Sequence, residues 1–151
     1  MFGLFQRRSR NFFSQEQKDA IVKAIQAAEK NTSGEIRVHV EDRCFKKDVM
    51  DCALKVFKKL NMHETEQRNG VLFYLTLRSK RFAIVGDEGI DKAVPENFWK
   101  DVKNLLAEYY KQELFAEGLI AGIGLAGEKL KAYFPYQEDD VNELPDDISF
   151  S

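Results

Sequence analysis

Three short segments carry oxygen-rich side chains of the kind that bind hard cations. Glu35 follows a Ser-Gly pair, Asn69 stands directly before a glycine, and Asp87-Glu88 stands between two glycines. Carboxylate and amide oxygens are the ligands that calcium and magnesium take in proteins, and the glycines permit tight turns. The segments therefore predict a divalent-cation site if the fold brings them together. Ordinary turns, with a salt bridge between Glu35 and Arg68, are the alternative.

No residue in the sequence can be assigned as a catalytic group from its type and spacing. Arg68 could hold a phosphate oxygen through its planar guanidinium, and Thr65 lies in the same polar loop as a second ligand-binding candidate. The sequence has no cysteine-phosphatase loop, no Gly-x-Ser-x-Gly elbow and no phosphate-binding Walker motif. If a phosphoester is hydrolysed, a metal-bound water is the economical nucleophile, with Asp87 or Glu88 holding the ion. The catalytic residues stay unknown.

The hydrophobic spacing predicts helices that alternate with strands. Ser14 and Gln17 form a capping box before an amphipathic helix that ends near residues 31–34. The remaining predicted elements are a strand at 36–41, a helix at 48–60, strands at 70–77 and 82–85, and helices at 95–109 and 116–133. The order α-β-α-β-β-α-α predicts an α/β fold, a three-layer α/β/α sandwich with a small mixed sheet.

The connections between the strands decide where the polar segments lie. A helix joins the first two strands, so we expect a parallel pair whose amino ends share one edge of the sheet. The connection at 78–81 is short, which predicts that the third strand runs antiparallel to the second. Its carboxyl end then returns to the same edge. Glu35, Asn69 and Asp87 should therefore converge there.

Length and charge limit the classes of protein that remain. The 151 residues fit one domain, since domains hold about 100–200 residues, and no apolar run approaches the roughly 18 residues of a membrane span. The chain has a net charge of -2, with three arginines and no acid in residues 1–13 and six acids and no base in residues 135–151. The body between them is nearly neutral, which argues against nucleic-acid binding.

We expect three parts along the chain. Residues 1–13 form a basic and aromatic segment, which should dock on the body through a hydrophobic staple at Phe13; a membrane or partner contact is the alternative. The domain itself covers 14–135. The acidic tail at 136–151 should be solvated, because charge-rich ends seldom pack.

The two cysteines and the amino-terminal residues bear on the compartment. Cys44 and Cys52 lack the CxxC spacing and the nearby histidines of a zinc site. The first residues lack the apolar stretch of about 7–15 residues that a signal peptide needs. We therefore predict two reduced thiols and a cytoplasmic protein.

Three separated blocks of the sequence stand out: Ser-Gly-Glu-Ile-Arg-Val at 33–38, Arg-Asn-Gly-Val-Leu at 68–72 and Ala-Ile-Val-Gly-Asp-Glu-Gly-Ile at 83–90. These blocks resemble the signature blocks of the TPM domain family. The 95–99 segment and Gly118-Leu119 are also similar to the family. The closing Asn-Glu-Leu-Pro-Asp-Asp at 142–147 resembles its small soluble bacterial branch. The resemblance covers roughly residues 14–147.

This resemblance implies a compact α/β/α sandwich with a mixed sheet. Family members include acid phosphatases, among them a thylakoid relative, and calcium-binding, photosystem-repair and receptor-accessory proteins. By position, the family's ion would be held by Asp87 and Glu88, with Glu35 and Asn69 next. Many relatives have Asp-Asn-Gly where this chain has Arg68 before Asn69, so fewer charges are expected at the site. Many are also exported or membrane-anchored, which this sequence does not indicate.

The resulting prediction is a protein that binds a divalent cation, calcium before magnesium, with weak metal-dependent phosphatase activity on an unspecified phosphoester. The alternative is a non-enzymatic module that binds a protein partner. Neither the physiological substrate nor the oligomeric state follows from the sequence.

Overall fold

The computed structural model describes residues 9–138 and 142–151, and its elements follow the hydrophobic spacing of the sequence. A helical turn at 9–12 comes first. The helices are α1 (Gln15–Glu29), α2 (Val49–Lys59), α3 (Glu88–Ala93), α4 (Lys100–Lys111) and α5 (Phe115–Leu130); the strands are β1 (Glu35–Glu41), β2 (Gly70–Thr76), β3 (Phe82–Gly86) and β4 (Ser149–Phe150). The predicted capping box of Ser14 and Gln17 opens α1.

The strands form one mixed sheet in the order β3-β2-β1-β4. β1 runs parallel to β2 and to β4, whereas β3 is antiparallel to β2. Alternate residues of β1 and β2, such as Val38 and Phe73, pack with α1, α4 and α5 into the larger core. Leu72 and Tyr74 point to the opposite face and pack with α2 in a smaller core. The predicted three-layer α/β/α sandwich is confirmed.

Two elements depart from the predicted order. Residues 88–93 form the short helix α3 instead of a loop, because the Asp87 side chain accepts a hydrogen bond from the Glu88 N–H and caps the first turn. The helix expected from residue 95 begins only at Lys100, after turns at 96–99.

The prediction of a solvated acidic tail is wrong for residues 142–151. Leu144 is buried in the smaller core, and the last residues add β4 to the free edge of β1. His39 holds this strand, since its Nδ1 lies 2.6 Å from Ser149 Oγ and its Nε2 lies 2.8 Å from Ser151 Oγ. Backbone pairing and these hydroxyl contacts outweigh the tail's charge. Asp139 and Asp140 lie outside the described residues.

The prediction of two reduced thiols is also wrong. Cys44 and Cys52 form a disulfide, with their Cα atoms 6.1 Å apart, a usual separation for bridged cysteines. The loop after β1 turns back over the first turns of α2, which brings together two cysteines that are eight positions apart. Disulfides are typical of oxidising compartments. The predicted cytoplasmic location can therefore no longer be argued from reduced cysteines, and it stays a prediction.

The amino-terminal segment is described only from residue 9. Within that part Phe13 is buried in the larger core, and the ring of Phe12 contacts those of Phe13 and Phe115. We expected the apolar side chains of this segment to dock on the domain, but Phe2, Leu4 and Phe5 lie outside the described residues, as do Arg7 and Arg8. Along the part that the structure describes, no helix has both the length and the apolar character to cross a bilayer. The predicted boundaries at 13 and 135 stay predictions.

Candidate functional site

The three polar segments meet at one edge of the sheet, as the topology predicts. Glu35 pairs with Gly70 in the parallel register, and the Glu35 N–H donates to the Asn69 carbonyl at 3.1 Å. The Asp87 N–H donates to the Gly70 carbonyl at 2.9 Å. The amino ends of β1 and β2 and the carboxyl end of β3 therefore stand side by side. We call this the amino edge of the sheet.

Arg68 pairs with both the Asp87 and the Glu88 carboxylates. Its Nε and Nη2 donate to the two Asp87 oxygens at 2.7 and 2.9 Å, and its Nη1 donates to Glu88 at 3.2 Å. The backbone of Arg68 is left-handed, with φ of 51°, a conformation that is unusual for a residue with a side chain. This fork-shaped pairing is the strongest kind of protein ion pair. The guanidinium therefore occupies carboxylate oxygens of Asp87 and Glu88 that we predicted from the sequence to bind a cation.

Glu35 and Asn69 keep oxygen atoms without a donor. Glu35 is 4% exposed; its Oε1 accepts from the Glu143 N–H at 2.8 Å, while its Oε2 has no hydrogen-bond partner. Asn69 is 2% exposed; its Nδ2 donates to the Ser33 carbonyl and its Oδ1 has no partner. Thr65 supports this segment by accepting from the Asn69 N–H. Buried oxygens without donors are costly and call for an explanation.

Two further carboxyl groups, which the sequence analysis did not select, lie beside Glu35. Glu29, at the end of α1, accepts a hydrogen bond from the Ile36 N–H and contacts Asp146. Burial, reinforced by the contact with Asp146, raises the pKa of Glu29 to about 10. Burial also raises the pKa of Glu35. The Glu29 carboxyl can donate to Glu35 only while it holds a proton.

These groups line an open cavity of about 780 Å³, which we call the acidic pocket. Its carboxyl groups are those of Glu29, Glu35, Glu66, Glu143 and Asp146. Lys30 also lines it and forms no salt bridge among the described residues. Within residues 9–138 and 142–151, no group of three or more His, Cys, Asp or Glu side chains is already arranged to hold a metal ion. The acids surround the cavity but do not form a finished cage.

Signals for the missed residues are present in the sequence. Glu29 is an acid in the last turn of a helix that has no base there, where the helix dipole disfavours negative charge. Asp146 lies in the 142–147 block that resembles a known family, but nothing in that block's spacing shows that it returns to β1. Only the packed tail joins Asp146 to Glu29.

Comparison with known proteins gives a consistent picture. A family model described as the TPM domain matches residues 7–129. The chain is similar to the BA42 protein of the psychrophilic bacterium Bizionia argentinensis, solved by NMR, with 46% identity over 93% of this chain and 97% of that one and a TM-score of 0.88. None of the curated protein sequences compared with it matches.

Two more distant NMR structures share the fold. The N-terminal domain of a P. gingivalis protein is 17% identical, with a TM-score of 0.66, over 85% of this chain and 84% of that one. The N-terminal domain of the cg2496 protein of Corynebacterium glutamicum is 12% identical, with a TM-score of 0.61, over 91% and 80%.

Proposed function

We propose that this chain, which belongs to the TPM domain family, binds a divalent cation, calcium before magnesium, in the acidic pocket at the amino edge. The observation that carries the proposal is the Glu35 carboxylate, which lines the acidic pocket and whose Oε2 accepts no hydrogen bond from an N–H or hydroxyl group. A cation bound there would take the place of the proton through which Glu29 donates to Glu35. Asn69 Oδ1, in the adjoining segment, is a second acceptor without a donor. Glu29 lies beside both Glu35 and Asp146, and these carboxyl groups would move toward one another to hold the ion.

The donor set fits a hard cation and favours calcium. Every candidate atom is a carboxylate or amide oxygen, which suits both ions. Calcium accepts irregular and flexible coordination, whereas magnesium demands near-ideal octahedral geometry. Because the pocket has no finished cage, the carboxyl groups must adjust around the ion. We expect calcium affinity in the range of about 10⁻⁴–10⁻³ M, as for sites with few rigid ligands.

Asp87, Glu88 and Arg68 have a positioning role in this proposal. Arg68 already donates to both acids, so an ion at Asp87 would have to displace a guanidinium, and a phosphate at Arg68 would have to displace two carboxylates. A bound ion would supply Lewis-acid chemistry. We therefore propose cation binding without efficient phosphatase activity, with a module that binds a protein partner as the alternative.

Calorimetric titration of calcium into four forms of the full chain tests the site. We expect Glu35→Gln to weaken calcium binding by at least about tenfold, since even indirect partners of a metal change affinity 10- to 100-fold. Glu64→Gln removes an exposed carboxylate of the neighbouring loop and should leave affinity unchanged. Asp87→Asn should lower stability but not affinity.

The opposite pattern would contradict the proposal. If Asp87→Asn abolishes calcium binding while Glu35→Gln does not, the ion belongs at the Arg68 cluster. The same samples can be tested with p-nitrophenyl phosphate. Calcium- or magnesium-dependent turnover that disappears in Glu35→Gln would make the protein a phosphatase and overturn the non-catalytic part.

A further inference from the structure

The carboxyl end of β1 leads into a second pocket with a different character. It is a cavity of about 490 Å³ between the loop at 42–47 and α2. Four cations, Arg43, Lys46, Lys55 and Lys59, stand at its rim, and Phe45 and Val56 line it. We call it the basic pocket. Its volume lies within the usual range of small-molecule sites, about 300–1,000 Å³.

Phe45 is exposed although its loop is firmly held. The side chain is 85% exposed, which is unusual for a large apolar group. The Arg81 guanidinium donates to the carbonyls of Cys44, Lys46 and Lys47 at 2.8–2.9 Å. The disulfide of Cys44 ties the same loop to α2. The backbone that carries Phe45 is therefore held in place, and its ring lies exposed beside the pocket.

The basic pocket has two acids, Glu41 and Asp42, against its four cations. Glu41 accepts hydrogen bonds from Tyr74 Oη and Ser151 Oγ. Asp42 is buried and its carboxylate accepts no hydrogen bond, but Arg78 Nε lies 3.4 Å and Arg43 Nε 3.9 Å from that carboxylate. None of the salt bridges among the described residues includes Lys46, Lys55 or Lys59. The cations of the pocket outnumber its acids, so its net charge is positive.

We propose that the basic pocket binds a single-chain anionic amphiphile, a medium-chain carboxylate. Its hydrocarbon tail would lie against Phe45, Val56 and the methylene stems of the lysines, which commonly cover apolar surface. Its carboxylate would be held by the ammonium groups of Lys55 and Lys59 at the mouth. Neither an inorganic anion nor a neutral alcohol satisfies both the ring and the lysines. This site is separate from the proposed cation site and does not depend on it.

The experiment is a titration of decanoate, below its micelle concentration, into the full disulfide-bonded chain, followed by backbone amide NMR. We expect saturable shifts confined to residues 42–47 and 52–59 and to Ser151. The double variant Lys55→Gln/Lys59→Gln should weaken binding at least about tenfold, and Phe45→Ser should also weaken it. Lys58→Gln, on the same helix but outside the pocket, should not.

Two ligand controls separate the alternatives. Acetate has the charge without the tail and 1-decanol has the tail without the charge, and both should bind at least about tenfold more weakly than decanoate. Shifts that do not saturate, or an equal loss in Lys58→Gln, would overturn the proposal. The proposal would also be overturned if decanoate does not bind the basic pocket but an acidic peptide or an anionic phospholipid vesicle does.

Discussion

The pocket at the amino end of β1 is lined mainly by acids, whereas the pocket at its carboxyl end is lined mainly by cations. Arg68 is committed to Asp87 and Glu88, while Glu35 keeps an unpaired oxygen. About 20 Å away along the strand, at roughly 3.3 Å per residue, Glu41 is committed to Tyr74 and Ser151. The comparison teaches that the two ends of one strand can have opposite net charge in a nearly neutral domain, because each charge is set by the side chains that line its own pocket.

Gly89→Ala should produce the largest effect, because it disrupts the amino edge alone. A Cβ at Gly89 would lie 2.2 Å from the Gln67 carbonyl oxygen and 2.6 Å from that of Arg68, so α3 must move away from the loop. We expect a loss of about 3 kcal/mol in unfolding free energy, measured by urea denaturation, with decanoate binding retained.

Gly124→Ala is the matched control for that substitution. Nothing lies within 4 Å of a Cβ at this exposed position of α5, and alanine favours a helix over glycine by about 0.5–1 kcal/mol. The control should therefore stabilise the protein slightly. Equal destabilisation by both variants would show that the close backbone contact at Gly89 is not what holds the edge.

Removing the disulfide should act on the carboxyl end alone. The double variant Cys44→Ser/Cys52→Ser releases a loop closed by residues eight apart, which we expect to cost about 2–3 kcal/mol. Decanoate binding should weaken while calcium binding stays unchanged, as measured by parallel titrations. If the variant loses calcium binding together with decanoate binding, the two ends of β1 are not independent.

Glu41→Gln should have a smaller, pH-dependent effect. Burial alone would raise the pKa of Glu41, but the nearby His39 imidazole, 3.6 Å away, and hydrogen bonds from Tyr74 and Ser151 hold it below its usual 4.5. The lower folded-state pKa means that ionised Glu41 stabilises the fold above about pH 4.5, and that this is lost as pH falls through the lower value.

The variant should therefore be less stable than the wild type by about 1 kcal/mol at neutral pH, and the difference should shrink in acid. Denaturation curves at neutral and acidic pH measure both. A difference that grows as pH falls would contradict the assigned direction of the pKa shift.

The sheet and its edge could be predicted because their signals are local. Alternation at 36–41 and the short connection at 78–81 were enough to place Glu35, Asn69 and Asp87 together. The pairing of Arg68 with Asp87 could not be predicted, because the sequence was equally compatible with a salt bridge between Arg68 and Glu35. That choice depends on the left-handed backbone at Arg68 and on the cap of α3.

The packing of residues 142–151 against the sheet could not be predicted from the sequence, for a different reason. A two-residue strand such as β4 has no periodicity, and its partner His39 is 110 positions away from Ser149. The same packing brings Asp146 to Glu29 and Ser151 to Glu41. Both pockets therefore contain residues that only the folded tail supplies, which is why neither could be completed from the sequence.

The most direct test of the contrast between the two ends is a pair of amide NMR titrations on parallel samples of the full chain, one with calcium and one with decanoate. Calcium should shift residues near 29, 35, 69 and 143–146, and decanoate should shift residues near 43–46 and 55–59, with no overlap. Calcium shifts centred on 87–91, shifts that coincide for the two ligands, or the absence of saturation with either would contradict the account.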